Sequence, residues 1–315
     1  MSCPICKFKI TYYFAKKDGY LYNRCPYCKT VFLHSFPSSE YLREYYSQQI
    51  SYSNGLQNET AIRKRGRVIL KKLGCLAPKV KTLCDVGSSY GFFLDEAQKN
   101  GYEPIGIEPA KRFADYAKRD YHVFTFVGEL KDYRKQKQFD IVTCIHVIEH
   151  VMNPKEFVSS LLKLVKPGGI LYVETPNSDS HLLYAEKGQY TFLLPPDHLW
   201  LFSKKSMRYL FPKNAESIYI NTYSYSEHFM GVMKALVSKY LHRTKNVSSF
   251  RKFDINNPID IKSGVKGQMN NVRKRFFYYL FDKTLAPLFT SLLNLYHKGS
   301  ILELYVRKKI DKSGL

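Results

Sequence analysis

The stretch Leu83 to Asn177 decides the fold, and four segments punctuate it: LCDVGSSYGFFL (83–94), IGIEP (105–109), FDIVTCIHVIEH (139–150) and LVKPGGILYVETPN (164–177). Short apolar, β-prone runs alternate with amphipathic windows at the spacing of repeated βαβ units, which implies an α/β fold with a buried parallel sheet. Leu83–Val86 reads as a strand stopping at Gly87, and Tyr90–Asn100 as a helix with Phe93, Leu94 and Ala97 on one face. The turn between them, Asp85 to Gly91 with Ser88 and Ser89 at its centre, is where a ligand should sit. Ligands of open α/β sheets lie beyond the carboxyl ends of strands, against the unpaired N–H groups of a helix start. Gly87 and Gly91 allow close approach of the backbone.

One strand later come Glu108 and Pro109, about 20 residues after the glycine turn, where nucleotide-binding folds place a carboxylate for two ribose hydroxyls. A Gly-rich turn alone is a weak signal; the acid at the next strand end strengthens it. Together these residues resemble the class I S-adenosylmethionine-dependent methyltransferases, in the branch of ubiquinone-type and sugar O-methyltransferases, from Ala61 to Tyr225. The resemblance implies a Rossmann-like seven-stranded sheet with helices on both faces. It also implies S-adenosylmethionine in the loop DVGSSYG, its ribose on Glu108, and Gly128, Glu129 and Leu130 near the adenine. The family usually has a third glycine where this chain has Ser89, and a serine narrows the backbone room there.

HVIEHVMNP (146–154) resembles the family's signature beside the transferred methyl group, which brings in His146, Glu149 and His150. The i, i+4 spacing of His146 and His150 would put both on one helical face with Glu149 beside them, a spacing that also suits a metal. Oxygen methylation needs a base for the hydroxyl proton, and imidazole has a suitable pKa. His150 is the first candidate; bracing the next helix is the plain alternative for Glu149 and His150. PPDHLWLFSKKSM (195–207) supplies a second acid–base pair, Asp197 and His198, with Trp200 and Phe202 as expected pocket walls.

A second signal lies at the N-terminus. Cys3, Cys6, Cys25 and Cys28 form two CPxCK knuckles eighteen residues apart, the spacing of a structural zinc site. Four thiolates leave no open coordination position, and backbone N–H groups with Lys7 and Lys29 offset their charge. The disulfide alternative is weaker, because no leader-like stretch precedes Cys3 and Cys75, Cys84 and Cys144 read as buried single thiols. The joint between ribbon and core resembles that of bacterial enzymes of surface-glycan and sugar modification. The expected organisation is a zinc ribbon (1–36), a helical linker or lid (37–75), the methyltransferase core (76–225), a basic helical insertion (226–299) and a last strand with tail (300–315).

The net charge is +22, of which +11 falls in residues 226–315. Ile218–Tyr225 and Ile301–Lys308 read as the last two strands, with the insertion between them. The insertion carries two windows, HFMGVMKALVSKYLHR and VRKRFFYYLFDKTLAPLFTSLLNLYHK, whose basic residues border aromatic clusters. Such helices suit a cap, a dimer face or peripheral contact with an anionic membrane. The longest uncharged run, Thr284–Tyr296, has 13 residues, short of the ~20 needed to span a bilayer. A cytoplasmic enzyme, peripheral at the inner membrane face if the insertion meets lipid, is the expected setting. The expected acceptor is a small or lipid-linked sugar. Quinone O-methylation, sugar C-methylation and RNA methylation are the rivals. Nucleic acid is disfavoured, since no NPPY-like segment follows the fourth strand, and TPNS (175–178) follows the fifth.

Overall fold

The computed structural model describes residues 1–48, 56, 58–134, 137–212, 215–224 and 296–310. An Asp18-Gly19 turn with both residues at positive φ (47° and 86°) has the twist that suits a tight hairpin. It joins β1 (Tyr12–Lys17) to β2 (Tyr20–Arg24), and β3 (Val31–Leu33) pairs antiparallel with β2. Helices α1 (Ser39–Gln48) and α2 (Glu59–Leu76) follow, over the stretch expected as a helical linker (37–75). Then come β4 (Thr82–Val86), α3 (Phe92–Lys99), β5 (Glu103–Glu108), α4 (Lys111–Tyr121), β6 (Thr125–Val127) and β7 (Phe139–Ile145). After α5 (Pro154–Leu164) and β8 (Val165–Pro176) run α6 (His181–Glu186), β9 (Trp200–Leu201), α7 (Lys204–Met207), β10 (Ala215–Tyr223) and β11 (Ile301–Lys308).

The main sheet has the expected seven strands, in the order β10-β11-β8-β7-β4-β5-β6. Strands β4 to β8 pair in parallel, and β11 is antiparallel to both β8 and β10. Side chains alternate across the strands, so Val142 and Cys144 join the core on one face with Val158, Leu161 and Leu162 of α5. Ile141 joins the other, with Ile69, Leu70 and Leu73 of α2 and Phe93, Leu94 and Ala97 of α3. FDIVTCI is mostly apolar because both faces are covered, and its two polar residues, Asp140 and Thr143, are hydrogen-bonded. Helix α5 starts where Asn153 accepts the Glu156 N–H and Pro154 takes the first turn, a pairing that suits an N-terminus.

The order reverses at β4, which lies between β5 and β7, and this places a crevice at the carboxyl ends of β4 and β7. Tyr223 pairs with Ile301, and Ile301 with Pro176 at the end of β8. The chain therefore leaves for residues 225–295 and returns on the same edge of the sheet as that crevice. Those residues, which hold the first basic amphipathic window and all but the last three residues of the second, lie outside the described ones; no described helix is long and apolar enough to cross a membrane.

A four-stranded sheet, β1-β2-β3-β9, joins the N-terminal ribbon to the core: Phe32 pairs with Trp200 and Val31 with Leu201. The ribbon is thus completed by a strand some 170 residues away in sequence, which the separate 1–36 reading did not anticipate. Two smaller expectations change. The helix expected from Tyr90 starts at Phe92, after Gly91 turns into it with φ 80°. Cys84 and Cys144 are buried as expected, but Cys75, near the end of α2, is exposed.

Candidate active site

Val86 pairs with Ile107 of β5 and with Cys144 of β7, so Gly87, Glu108 and the residues after β7 emerge side by side. Gly87 has φ 81°, and a Cβ there would collide with Val147. Gly91 has φ 80°, and a Cβ would lie 2.6 Å from that of Ala117. Ser89, where the family's glycine is missing, also takes a left-handed conformation, φ 47°. Its N–H donates to Glu108 Oε2 at 2.9 Å, while the Ala110 N–H donates to Oε1 at 2.9 Å. The serine thus takes the left-handed backbone conformation that a glycine adopts without strain. Each Glu108 oxygen retains acceptor capacity for a diol.

Burial raises the Glu108 pKa, and the two N–H donors work against that. Asp85 is buried, with Thr143 Oγ1 donating to it at 2.6 Å; burial pushes its carboxyl up to about 7, against the Thr143 hydrogen bond. Helix α3 has no side-chain cap at its start, which suits a ligand there. Ser88 Oγ is buried with no hydrogen-bond partner among the described residues, and it packs where a Cβ on Gly106 would lie 2.5 Å away. Pro109 follows Glu108 into α4. Beyond β6, Leu130 is buried while Glu129 reaches out to Lys131 at 2.9 Å.

The β7–β8 side of the crevice is built from side chains. His146 does not start an α-helix; it sits at φ 53°, and a single 3₁₀ turn follows, Ile148–His150. The expected common face for His146 and His150 is therefore lost, and the two rings find different partners. His146 lies between carboxylates, with Nδ1 3.0 Å from Glu149 Oε1 and Nε2 3.5 Å from Glu174 Oε1. Burial alone would lower its pKa, but the hydrogen bonds to Glu149 and Glu174 outweigh that and push it up to about 10. Phe192 stacks on its ring at 6.4 Å. Glu149 also accepts Thr175 Oγ1 at 3.0 Å. Glu174 accepts from Arg65 of α2 at 2.7 Å, from Tyr223 at 2.6 Å and from Tyr172.

His150 Nδ1 is 2.9 Å from the Asp197 carbonyl oxygen and 3.0 Å from its Oδ1. Burial opposes its charge, but Asp197 wins and pushes the imidazole up to about 9. His198 stands edge-on to it, 4.7 Å between centroids. Its Nδ1 is 2.7 Å from the Phe192 carbonyl oxygen, so that nitrogen carries the proton and Nε2 the lone pair. Burial and the His150 charge together press its pKa down to about 4. Asp197 and His198 thus divide their expected partnership: the aspartate pairs with His150. Glu149, His150 and His198 have donor atoms within 4.8 Å of one another, and the charged His150 makes that group an ion-paired cluster.

Residues 58–215, half of the chain, match the family described as a methyltransferase domain. The chain belongs to the class I S-adenosylmethionine-dependent methyltransferases. This methyltransferase is 26% identical over 192 residues to the ubiquinone biosynthesis O-methyltransferase of Rickettsia bellii, covering 59% of the chain and 76% of that relative. It is 29% identical over 126 residues to the enzyme of the same name from Coxiella burnetii, 38% of the chain and about half, 54%, of that relative. Among solved structures, a SAM-dependent methyltransferase from Archaeoglobus fulgidus aligns with 79% of the chain and 94% of its own, at 15% identity and TM-score 0.47.

The methyltransferase brings its four N-terminal cysteines together as the sequence implied. Cys3 and Cys28 Sγ are 3.6 Å apart, as are those of Cys6 and Cys25. A tetrahedral zinc with Zn–S of ~2.3 Å needs sulfurs about 3.8 Å apart, so the set fits the ion. The knuckles are twins: Lys7 N–H donates to Cys3 O and Lys29 N–H to Cys25 O, each at 3.0 Å, with both lysines at positive φ. The Cys28 N–H points at Cys25 Sγ, 3.4 Å away.

Trp200 and Phe202 are not pocket walls. Both are buried at the ribbon junction, where the Trp200 indole donates to Val151 O at 2.8 Å and packs on Phe36. Phe192 is the aromatic ring that stacks on His146 instead. The sequence reading also missed Arg65, Thr143, Thr175 and Glu174. Glu174 was visible as a carboxylate inside an apolar strand, ILYVETP, where a buried charge requires partners.

Proposed function

We propose that this methyltransferase moves a methyl group from S-adenosylmethionine to a hydroxyl oxygen of a small or lipid-linked sugar acceptor, with His198 as general base. The observation that carries the reading is the tautomer of His198, neutral and with Nδ1–H held by Phe192 O. S-adenosylmethionine supplies an electrophilic methyl group when bound. The loop Asp85–Gly91 and Glu108 hold it on the β4–β5 side, with Pro109, Glu129 and Leu130 around its base and His146 beside the reacting end. As the oxygen gains a methyl group its proton becomes far more acidic than an imidazolium, so a weak base held in place is sufficient. His198 Nε2 takes that proton. His150, already charged in its pair with Asp197, cannot act as the base; it and Glu149 fix the electrostatics around His198. This replaces His150 as first choice.

Oxygen as the acceptor atom is supported by the relatives' names, and a sugar by the resemblance of the ribbon-joined core to glycan-modifying enzymes. Those names equally support a quinone-type phenol as the second reading. The four cysteines hold a structural Zn²⁺ in this proposal. Assaying methyl transfer from labelled S-adenosylmethionine to nucleotide sugars, lipid-linked sugars, a polyprenyl catechol and ribosomal RNA separates the readings. A labelled catechol or RNA with unlabelled sugars would overturn the sugar assignment. One zinc per chain by elemental analysis is the result expected of the ribbon.

A further inference from the structure

The peptide of His198 is tied at both ends. Its N–H donates to Leu194 O at 2.8 Å, and its carbonyl accepts the hydroxyl of Tyr22 at 3.0 Å. Tyr22 belongs to β2 of the ribbon and is fully buried, so its O–H needs a partner, and the His198 carbonyl provides it. Two residues further on, β9 is the fourth strand of the ribbon sheet, and Leu33 N–H donates to Leu199 O at 3.1 Å. On the opposite side, Leu199 N–H donates to Glu149 O at 2.9 Å. The segment is pinned again where it ends: Ser203 Oγ donates to Cys28 O at 2.6 Å, the carbonyl of a knuckle cysteine. Ser178 Oγ likewise donates to Lys29 O at 2.8 Å. The cofactor loop hangs from other elements, with Gly87 N–H on Ile107 O and Ser89 N–H on Glu108.

We propose that Tyr22 is a positioning residue for His198, and that the four-cysteine ribbon serves as the jig that sets the orientation of that imidazole. The proposal rests on the reading of His198 as the base for its purpose, not for its geometry. A hydroxyl on the His198 carbonyl fixes the peptide plane, which fixes the Cα–Cβ direction and lets Nδ1–H reach Phe192 O. Removing the metal frees β2 and β3, and with them the same peptide. Methyl transfer then depends on the state of the cysteines, whereas cofactor binding does not.

The test uses the full chain labelled with ¹⁵N-histidine at pH 7. In the wild type, His198 should show one protonated Nδ1 and one unprotonated Nε2. In Tyr22→Phe, and separately in protein stripped of metal with a chelator, the His198 signals should move towards the mixed-tautomer values. Calorimetric affinity for S-adenosylmethionine should stay within about twofold in both, and returning Zn²⁺ should restore the wild-type signals. Unchanged His198 signals in both samples would overturn the proposal, as would an equal loss of cofactor affinity. The general-base reading fails by a different result, normal turnover of His198→Ala, so the two can be told apart.

Discussion

On the β4–β5 side of the crevice, backbone does the work: two glycines and Ser89 at positive φ, and one carboxylate accepting two N–H groups. On the β7–β8 side, side chains do it. His146, Glu149, His150, Glu174, Asp197 and His198 settle one another's charges, and Arg65 and Tyr22 reach in from α2 and the ribbon. The first kind of site tolerates little change in shape, and the second little change in charge. Perturbing each side with the wrong kind of substitution shows whether that division holds.

The largest effect should come from Gly87→Val, which adds a collision with Val147 at φ 81°. Calorimetry should detect no binding of S-adenosylmethionine; retained affinity would mean that the loop is not set by its backbone. His198→Ala should lower turnover by roughly 10²–10⁴ while leaving cofactor affinity intact, the span expected of a general base. The pH profile sharpens this. With His198 at about 4, turnover at saturating S-adenosylmethionine should stay level from pH 8 down to pH 5, whereas titration of Asp85, at about 7, would show in cofactor affinity; a base at His150, at about 9, would instead give turnover still climbing above pH 8.

Arg65→Ala should destabilise the fold by about 3–5 kcal/mol, read by denaturant unfolding, because it leaves Glu174 and Glu303 buried with less compensation. A loss below about 1 kcal/mol would show that the carboxylates are paired well enough without it. The smallest effect concerns His150. Its pKa is raised on folding, so the stabilisation is complete below the ordinary histidine value of ~6.5 and fades as pH rises through about 9. The melting temperature should therefore fall between pH 6.5 and 9, His150 contributing on the order of 2–3 kcal/mol of the loss beside His146, whose pKa is raised to about 10, and His150→Gln should make that slope shallower without abolishing it. A slope unchanged in the variant would remove the Asp197–His150 pair as its source.

The legible half of the site matches the local half. Asp85, Gly87, Ser89, Gly91 and Glu108 could be named from the sequence because turn chemistry and strand ends are properties of a few adjacent residues. The histidines were also nameless only in role. The sequence pointed to His150 as the base because HVIEHVMNP resembles the family's signature and imidazole has a suitable pKa, yet which of two imidazoles carries charge depends on Asp197 and the Phe192 carbonyl, more than forty residues on. His146 was placed on a helix from its spacing alone, and the φ of 53° broke that face. Trp200 and Phe202 were placed in the pocket, while the ribbon that buries them lies at the other end of the chain.

By itself, the sequence determined an α/β core, a glycine turn at its first strand end and the four-cysteine set, since periodicity, glycine turns and metal spacing are written in short windows, while the count of seven strands came from the family resemblance. Only the tertiary structure decided that β9 completes the ribbon, that Tyr22 holds the carbonyl of His198, and that His150 is charged while His198 is neutral. Those outcomes depend on burial and on distances between residues far apart in the chain, and no local pattern encodes a distance.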